Sequence, residues 1–313
     1  MDGRAVNHNP PKGVLMVSRR EVLRRMGGLA AGAAVMGCSG ETDSGGAISA
    51  EASMTAASSG PGTTPLAPLG VQLYTLRSEM EGRVEQTLER VAAIGYQEVE
   101  FVRSQYFGHS PTEIREMLAR TGLRSPASHI TPSFETDAWA RILDDANEVG
   151  HEYVVVASIP LEMRASLDDW RRTAELMTSA GERARAAGLR YAYHNHDFEF
   201  VEMDGRVAFD VFCEESDPEL VQIELDLFWI IHGGGDPVAF FDRWPGRVPL
   251  VHVKDRTAAG EMVDVGAGVI DWPGLFRHID HAGMKHFLVE HDRPDGPFRS
   301  IEASYRYLNA LEV

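Results

Sequence analysis

The 313-residue sequence predicts an α/β fold, a closed (β/α)8 TIM barrel, behind an N-terminal segment that is not part of it. Three observations carry this. Short apolar runs alternate with longer amphipathic stretches in units of about 30 residues, as parallel strands joined by helical crossovers do. Eight such units fit in a body of a size suited to one barrel. Polar and ionisable residues gather just after the apolar runs, where the carboxyl ends of barrel strands present their chemistry. A doubly wound open sheet would announce a glycine-rich first turn, and Gln72-Leu73-Tyr74-Thr75-Leu76 has none.

The expected strands are 70–74, 98–101, 123–128, 153–157, 190–193, 222–225, 249–253 and 286–289. Helices are expected near 83–94, 111–121, 135–149, 168–187, 207–215, 236–244, 272–282 and 298–311. Several stop at a glycine, including Gly95, Gly122, Gly150, Gly188 and Gly283, the residue that most easily adopts the left-handed conformation past a helix end.

Residues 1–38 read as an address. Ser18-Arg19-Arg20-Glu21-Val22-Leu23 has the twin-arginine form, and an apolar run from Met26 to Gly37 follows it. At about 1.5 Å per residue that run is too short to cross a hydrocarbon core about 30 Å thick, so it reads as a signal rather than a spanning helix. Val35-Met36-Gly37-Cys38 resembles a lipobox, which makes Cys38 the expected lipidation site; the alternative is an ordinary signal cut at a nearby small residue. Residues 39–66 are rich in Ser, Ala, Gly, Thr and Pro and read as a flexible tether, leaving 67–313 as the barrel. The expected location is outside the cytoplasm, in the periplasm or at the cell surface, with membrane contact only through the lipid.

Composition narrows the partners. Cys213 is the one cysteine of the body, so no disulfide forms within it. Residues 1–38 hold six basic and two acidic side chains, which leaves 24 basic against 45 acidic beyond them, a net of −21. Such a field repels polyanions and argues against a nucleic-acid partner, while a neutral carbohydrate is compatible with it. The oligomeric state stays open.

The strand ends supply the candidate site. Glu224 and Asp226 are two apart and point to one side of the sixth strand, where a carboxylate pair needs a cation or hydrogen bonds. Asp226 is expected to bind a metal or to cap the following turn, and Glu224 to support it. His252 and Lys254 share a face of the seventh strand, an imidazole for the ion and an ammonium for a substrate oxygen, with Asp255 placed to orient either. Glu290 ends the eighth strand, suited to metal or general-base work. His194 and His196 flank Asn195 at the end of the fifth; one is expected as ligand and the other as acid–base group or substrate contact, with Glu199 contributing if the loop folds back. Glu100 and His129, at the second and third strands, are expected either to line the pocket as substrate contacts or to serve structure.

These residues resemble the xylose isomerase-like TIM-barrel superfamily, in its sugar phosphate isomerase/epimerase branch, over nearly all of 69–311. The resemblance rests on Gly70-Val71-Gln72-Leu73-Tyr74-Thr75-Leu76-Arg77, on the H-N-H-D-F-E-F run at 194–200, on Leu225-Asp226-Leu227-Phe228-Trp229 with Gly234-Gly235-Asp236-Pro237, on His252-Val253-Lys254-Asp255, and on the V-G-A-G-V-I-D-W run at 265–272. It implies one divalent ion (Mn, Mg, Co or Zn) held by a Glu, an Asp, a His and a second Glu. Asp226, His252 and Glu290 take the last three places, and His194 stands where the first Glu is expected, a departure from the family pattern. It also implies isomerisation or epimerisation of a sugar or keto-sugar through proton abstraction beside a metal-polarised carbonyl. Glu290 or His196 would take the proton, with Lys254 facing the developing charge. Relatives with this histidine pattern include lyases and dehydratases of keto-inositols and 3-keto-glycosides. A nuclease resembling endonuclease IV would want a basic groove, and a non-catalytic carbohydrate-binding lipoprotein would keep the pocket without needing Asp226 or Glu290.

Overall fold

The computed structural model describes Leu66 and residues 68–102, 106–131 and 136–312. The twin-arginine segment, Cys38 and residues 39–65 of the expected tether lie outside the described residues. Leu66, the last residue assigned to that tether, is buried against the core.

Eight parallel strands close into a barrel in sequence order: Leu69–Gln72 (β1), Glu98–Val102 (β2), Arg124–Ile130 (β3), Tyr153–Val156 (β4), Arg190–His194 (β5), Gln222–Asp226 (β6), Leu250–Val253 (β7) and His286–Val289 (β8). Every strand was legible within a few residues, because each couples an apolar outer face, packed on helices, to an inner face read two residues at a time. Helices at Val84–Ile94, Pro111–Thr121, Thr136–Val149, Leu167–Ala186, Ala208–Glu215, Pro237–Arg243 and Pro297–Asn309 follow the expected stretches. Local chemistry sets their ends. Ser110 and Glu113 form a reciprocal capping box with Pro111 in the first turn, and Gly122 closes that helix at φ 72°.

Two expectations are corrected. The single helix over 272–282 is two, Trp272–Phe276 and Ile279–Ala282. The helix Leu227–His232 was not foreseen, because Leu-Phe-Trp-Ile-Ile is apolar all round and carries no amphipathic period.

The barrel interior is layered. Ala127, Tyr153, Val155, Ala192, Leu250 and Leu288 form an apolar plug. Two residues further along their strands, toward the carboxyl ends, come His129, His194, His252 and Glu290, joined by Glu100, Glu224 and Asp226. Period-two alternation therefore puts an apolar floor under a polar layer.

Candidate metal centre

Register brings the polar side chains together. Asp226 lies opposite His252 across the β6–β7 pair, His194 opposite Glu224 across β5–β6, and Gln72 opposite Glu100 across β1–β2. Two groups have ligand atoms within 4.8 Å of one another: Asp226, His252 and Glu290, and, on the other side of the same imidazole, His129, His194, Glu224 and His252.

Glu290 of the first group lines a cavity of about 470 Å³, together with Tyr74, His129, His194, His196, Lys254 and Asp292. Asp226 Oδ1 accepts the N–H groups of Phe228 and Trp229 at 3.0 and 2.9 Å, capping the helix Leu227–His232 and fixing the carboxylate plane. The cap thus occupies Oδ1 alone and leaves Oδ2 to other contacts. Asp226 Oδ2 is buried and makes no hydrogen bond. It lies 3.9 Å from His194 Nε2 and 3.9 Å from His252 Nδ1, with Glu290 Oε2 2.8 Å from that same Nδ1. Lys254 Nζ stands 3.0 Å from Asp226 Oδ2, close enough to attract it but in a direction that makes no hydrogen bond, and 2.6 Å from Glu290 Oε2 and 3.0 Å from Asp292. A buried carboxylate oxygen without a hydrogen bond, beside two imidazole nitrogens and a second carboxylate, belongs to a donor set that fits a divalent cation.

The second group shares His252 with the first, and two of its members, His129 and His194, line the same cavity. Glu224 Oε2 is 2.7 Å from His129 Nε2, 3.0 Å from His194 Nδ1 and 3.2 Å from His252 Nε2. Glu100 Oε2 receives the Gln72 amide at 2.7 Å and lies 2.8 Å from His252 Nε2.

The side chains by themselves set an uneven electrostatic pattern. Burial pushes Asp226 up to about 6 and, with the Glu224 charge, pushes Glu100 up to about 7. Burial also opposes charge on Glu224, but the His252 and His129 imidazoles outweigh it and hold that carboxyl well below the usual range. For Glu290 burial is likewise outweighed, by Lys254 and His252, so it is an ionised carboxylate at neutral pH. Lys254 stays charged because Asp226, Glu290 and Asp292 outweigh its burial. Burial and the Lys254 charge depress His196 to about 3, which leaves it neutral.

The two ambiguous histidines are separated by the end of β5. His194 is the last strand residue and belongs to the polar layer, whereas His196 turns into the cavity wall, its ring 5.7 Å from both Phe198 and Trp229 and its Nδ1 without a partner. Glu199 does fold back, but onto protein: it accepts Tyr193 Oη–H at 2.7 Å and the His196 N–H at 2.8 Å, so it shapes the loop that carries His196. Asp255 is corrected. It faces neither His252 nor Lys254; its carboxylate accepts the N–H groups of Gly266, Gly268 and Ile270 and the Trp272 indole, holding the 265–272 loop. As substrate contacts, His129 does line the cavity, while Glu100 is fully buried beneath the imidazoles and does not reach it. Asp292 also belongs to the site through Lys254, and its spacing of two from Glu290 is the signal for it in the sequence.

The family model described as xylose isomerase-like TIM barrel matches residues 88–311, and the chain belongs to that family. An inosose dehydratase of Geobacillus kaustophilus is 26% identical over 274 residues, covering 72% of this chain and 87% of that protein. A sugar phosphate isomerase/epimerase from Parabacteroides distasonis superposes with a TM-score of 0.70 at 27% identity, over 78% of this chain and 95% of that one. The IolI protein, solved with a zinc atom, shares the fold at a TM-score of 0.64 and 15% identity, over 77% of this chain and 96% of that one.

Proposed function

We propose that the barrel is a metal-dependent enzyme that removes a proton next to the carbonyl of an unphosphorylated keto-polyol, with loss of a β-hydroxyl as water the favoured outcome. The observation that carries it is the convergence of Asp226, His252 and Glu290 beside the cavity that Lys254 and His196 line. His194, Asp226, His252 and Glu290 would hold one divalent ion. When bound it would supply Lewis-acid polarisation of the substrate carbonyl.

The residues divide the remaining work. Glu290, kept ionised, accepts the proton from carbon. Lys254 offers N–H donors to oxygen as negative charge develops. The electron pair of the broken C–H bond forms a C=C bond as the β C–O bond breaks, and Glu290 returns its proton to the departing oxygen, releasing water. One shuttling carboxylate suffices for this sequence. Epimerisation needs proton-transfer groups on both faces of the substrate, and the strand-five position that would provide a second carboxylate is His194, buried against Glu224. The inosose dehydratase relative supports elimination. The Parabacteroides isomerase/epimerase supports a second reading, in which His196 serves the opposite face.

The test is incubation of the purified chain with Mn2+, Co2+ or Zn2+ and a keto-inositol or keto-hexose in D2O. Elimination gives loss of water, and the second reading gives deuterium at the carbon beside the carbonyl of an isomer. Neither product with any of these ions overturns both. Glu290→Gln is expected to lower kcat by about 10²–10⁴-fold.

A further inference from the structure

We propose that Glu224 is the positioning residue for the His194 imidazole of the metal centre. Glu224 holds the Nδ1 proton of His194, which leaves His194 Nε2 as a lone pair facing Asp226. The inference rests on the reading of a divalent ion at that centre and assigns which nitrogen of His194 serves it.

The geometry distinguishes the two nitrogens of His194. A neutral imidazole carries one N–H, so the hydrogen bond it donates from one nitrogen decides that the other accepts. His194 Nδ1 is 3.0 Å from Glu224 Oε2, a hydrogen-bond length, while its Nε2 is 3.9 Å from Asp226 Oδ2, beyond a hydrogen bond. His252 meets a carboxylate at each nitrogen, Glu100 Oε2 at 2.8 Å from Nε2 and Glu290 Oε2 at 2.8 Å from Nδ1, so its contacts do not choose between the two. Ligand atoms about 2.1 Å from a shared ion stand roughly 3–4 Å apart. Glu224 and Glu100 are fully buried, and the Oε1 atom of each lacks a partner. His129 ties them together, with Nε2 2.7 Å from Glu224 Oε2 and 3.4 Å from Glu100 Oε2. Its ring stacks on His252 at 5.3 Å and 11°.

This arrangement answers the strand-five departure. With His194 where the family pattern has a Glu, the ligand set loses one negative charge. Glu224 restores a carboxylate on the far nitrogen of that same histidine, where it raises the basicity of the coordinating nitrogen. The competing arrangement puts Glu224 itself on the ion with His129, His194 and His252.

Two measurements separate these. The first is Co2+ affinity of the metal-free full chain by chelator competition, with the visible spectrum of the bound Co2+. Glu224→Ala is expected to weaken binding by about 10–100-fold with the spectrum of the wild type. Glu224→Gln, whose amide oxygen still accepts the Nδ1–H, should recover part of that loss. Wild-type affinity in Glu224→Ala overturns the proposal, and so does a Co2+ spectrum showing loss of a ligand in either variant. The second is 15N NMR of histidine-labelled, metal-free protein, which reads tautomers without any ion. His194 should be the Nδ1–H tautomer in the wild type and lose that preference in Glu224→Ala. A chain that binds no Co2+ yet shows Nδ1–H at His194 keeps the positioning role and loses the enzymatic reading. A chain that binds Co2+ with His194 protonated at Nε2 loses the positioning role alone.

Discussion

His151 is a histidine the barrel keeps uncharged. It lies at the end of β4 away from the cavity, 5% exposed, with Nδ1–H donated to the Ser125 carbonyl at 2.9 Å and Nε2 buried without a partner. Its ring stacks on Tyr106 at 5.9 Å. Burial pushes its pKa from 6.5 down to about 4, against the smaller help of the Ser125 hydrogen bond. The sign follows from linkage. Between those values the unfolded chain binds a proton that the folded chain refuses, so stability is fully present above pH 6.5 and falls as pH drops through 4. A shift of this size corresponds to about 3 kcal/mol. Urea unfolding from pH 7.5 to 4 is expected to show this loss in the wild type and a flatter acid limb in His151→Phe. Equal acid limbs in the two proteins would reject this account. Residue types alone had announced the polar centre, but the division of labour within one side chain could not be read from them. That Asp226 gives Oδ1 to a helix cap and leaves Oδ2 free depends on the direction of the next helix, and that Asp255 serves the 265–272 loop depends on where that loop returns.

At the scale of elements, β1 meets β8 through a missing side chain. A Cβ at Gly70 would stand 2.6 Å from Leu288 Cδ2 and 3.1 Å from Glu98 Cβ, so β1 presents a glycine where the apolar plug crosses its inner face. The first contact is the tip of a flexible side chain, so Leu288 must shift, and the leucine supports the floor under His252, its register partner. Gly70→Ala is expected to cost about 1–2 kcal/mol, toward the lower part of the overpacking range. Adding Leu288→Val should recover part of it, read as thermal midpoints of the single and double variants. Strict additivity of the two changes would show that they do not meet. Strands were legible because inner and outer faces differ in kind at every second residue. The Leu227–His232 helix was not, because both its sides are buried and its only start signal is Asp226, a residue already claimed by the chemistry. Asp255→Ala should free the 265–272 loop, since three N–H groups and an indole lose their acceptor, at about 1–3 kcal/mol for each donor left buried. Faster amide exchange confined to that loop is the measurement.

For the whole molecule, the expected anchor and the proposed catalytic centre fall in separate parts of the sequence, and charge makes that division testable. The part of the chain beyond residue 38 carries a net of −21, which an anionic membrane surface repels, and no helix among the described residues is long and apolar enough to cross a membrane. We propose that attachment comes from export by the twin-arginine route followed by lipidation at Cys38. Cys213 is buried and its thiol is pushed up to about 12 by burial, so it is no competing acceptor. In a bacterial host the full chain is expected in the membrane fraction, with an N-terminus at position 38 and a mass increased by the lipid. Cys38→Ser should release an exported barrel into the soluble fraction, because the acidic body has nothing else to hold it. Replacing Arg19 and Arg20 together with lysine should leave the uncut chain in the cytoplasm. A Cys38→Ser protein that stays on the membrane would place the attachment in the barrel, and export unaffected by the double lysine change would remove the twin-arginine assignment. Neither result touches the polar centre, since every residue of it lies more than thirty positions beyond the expected tether's end.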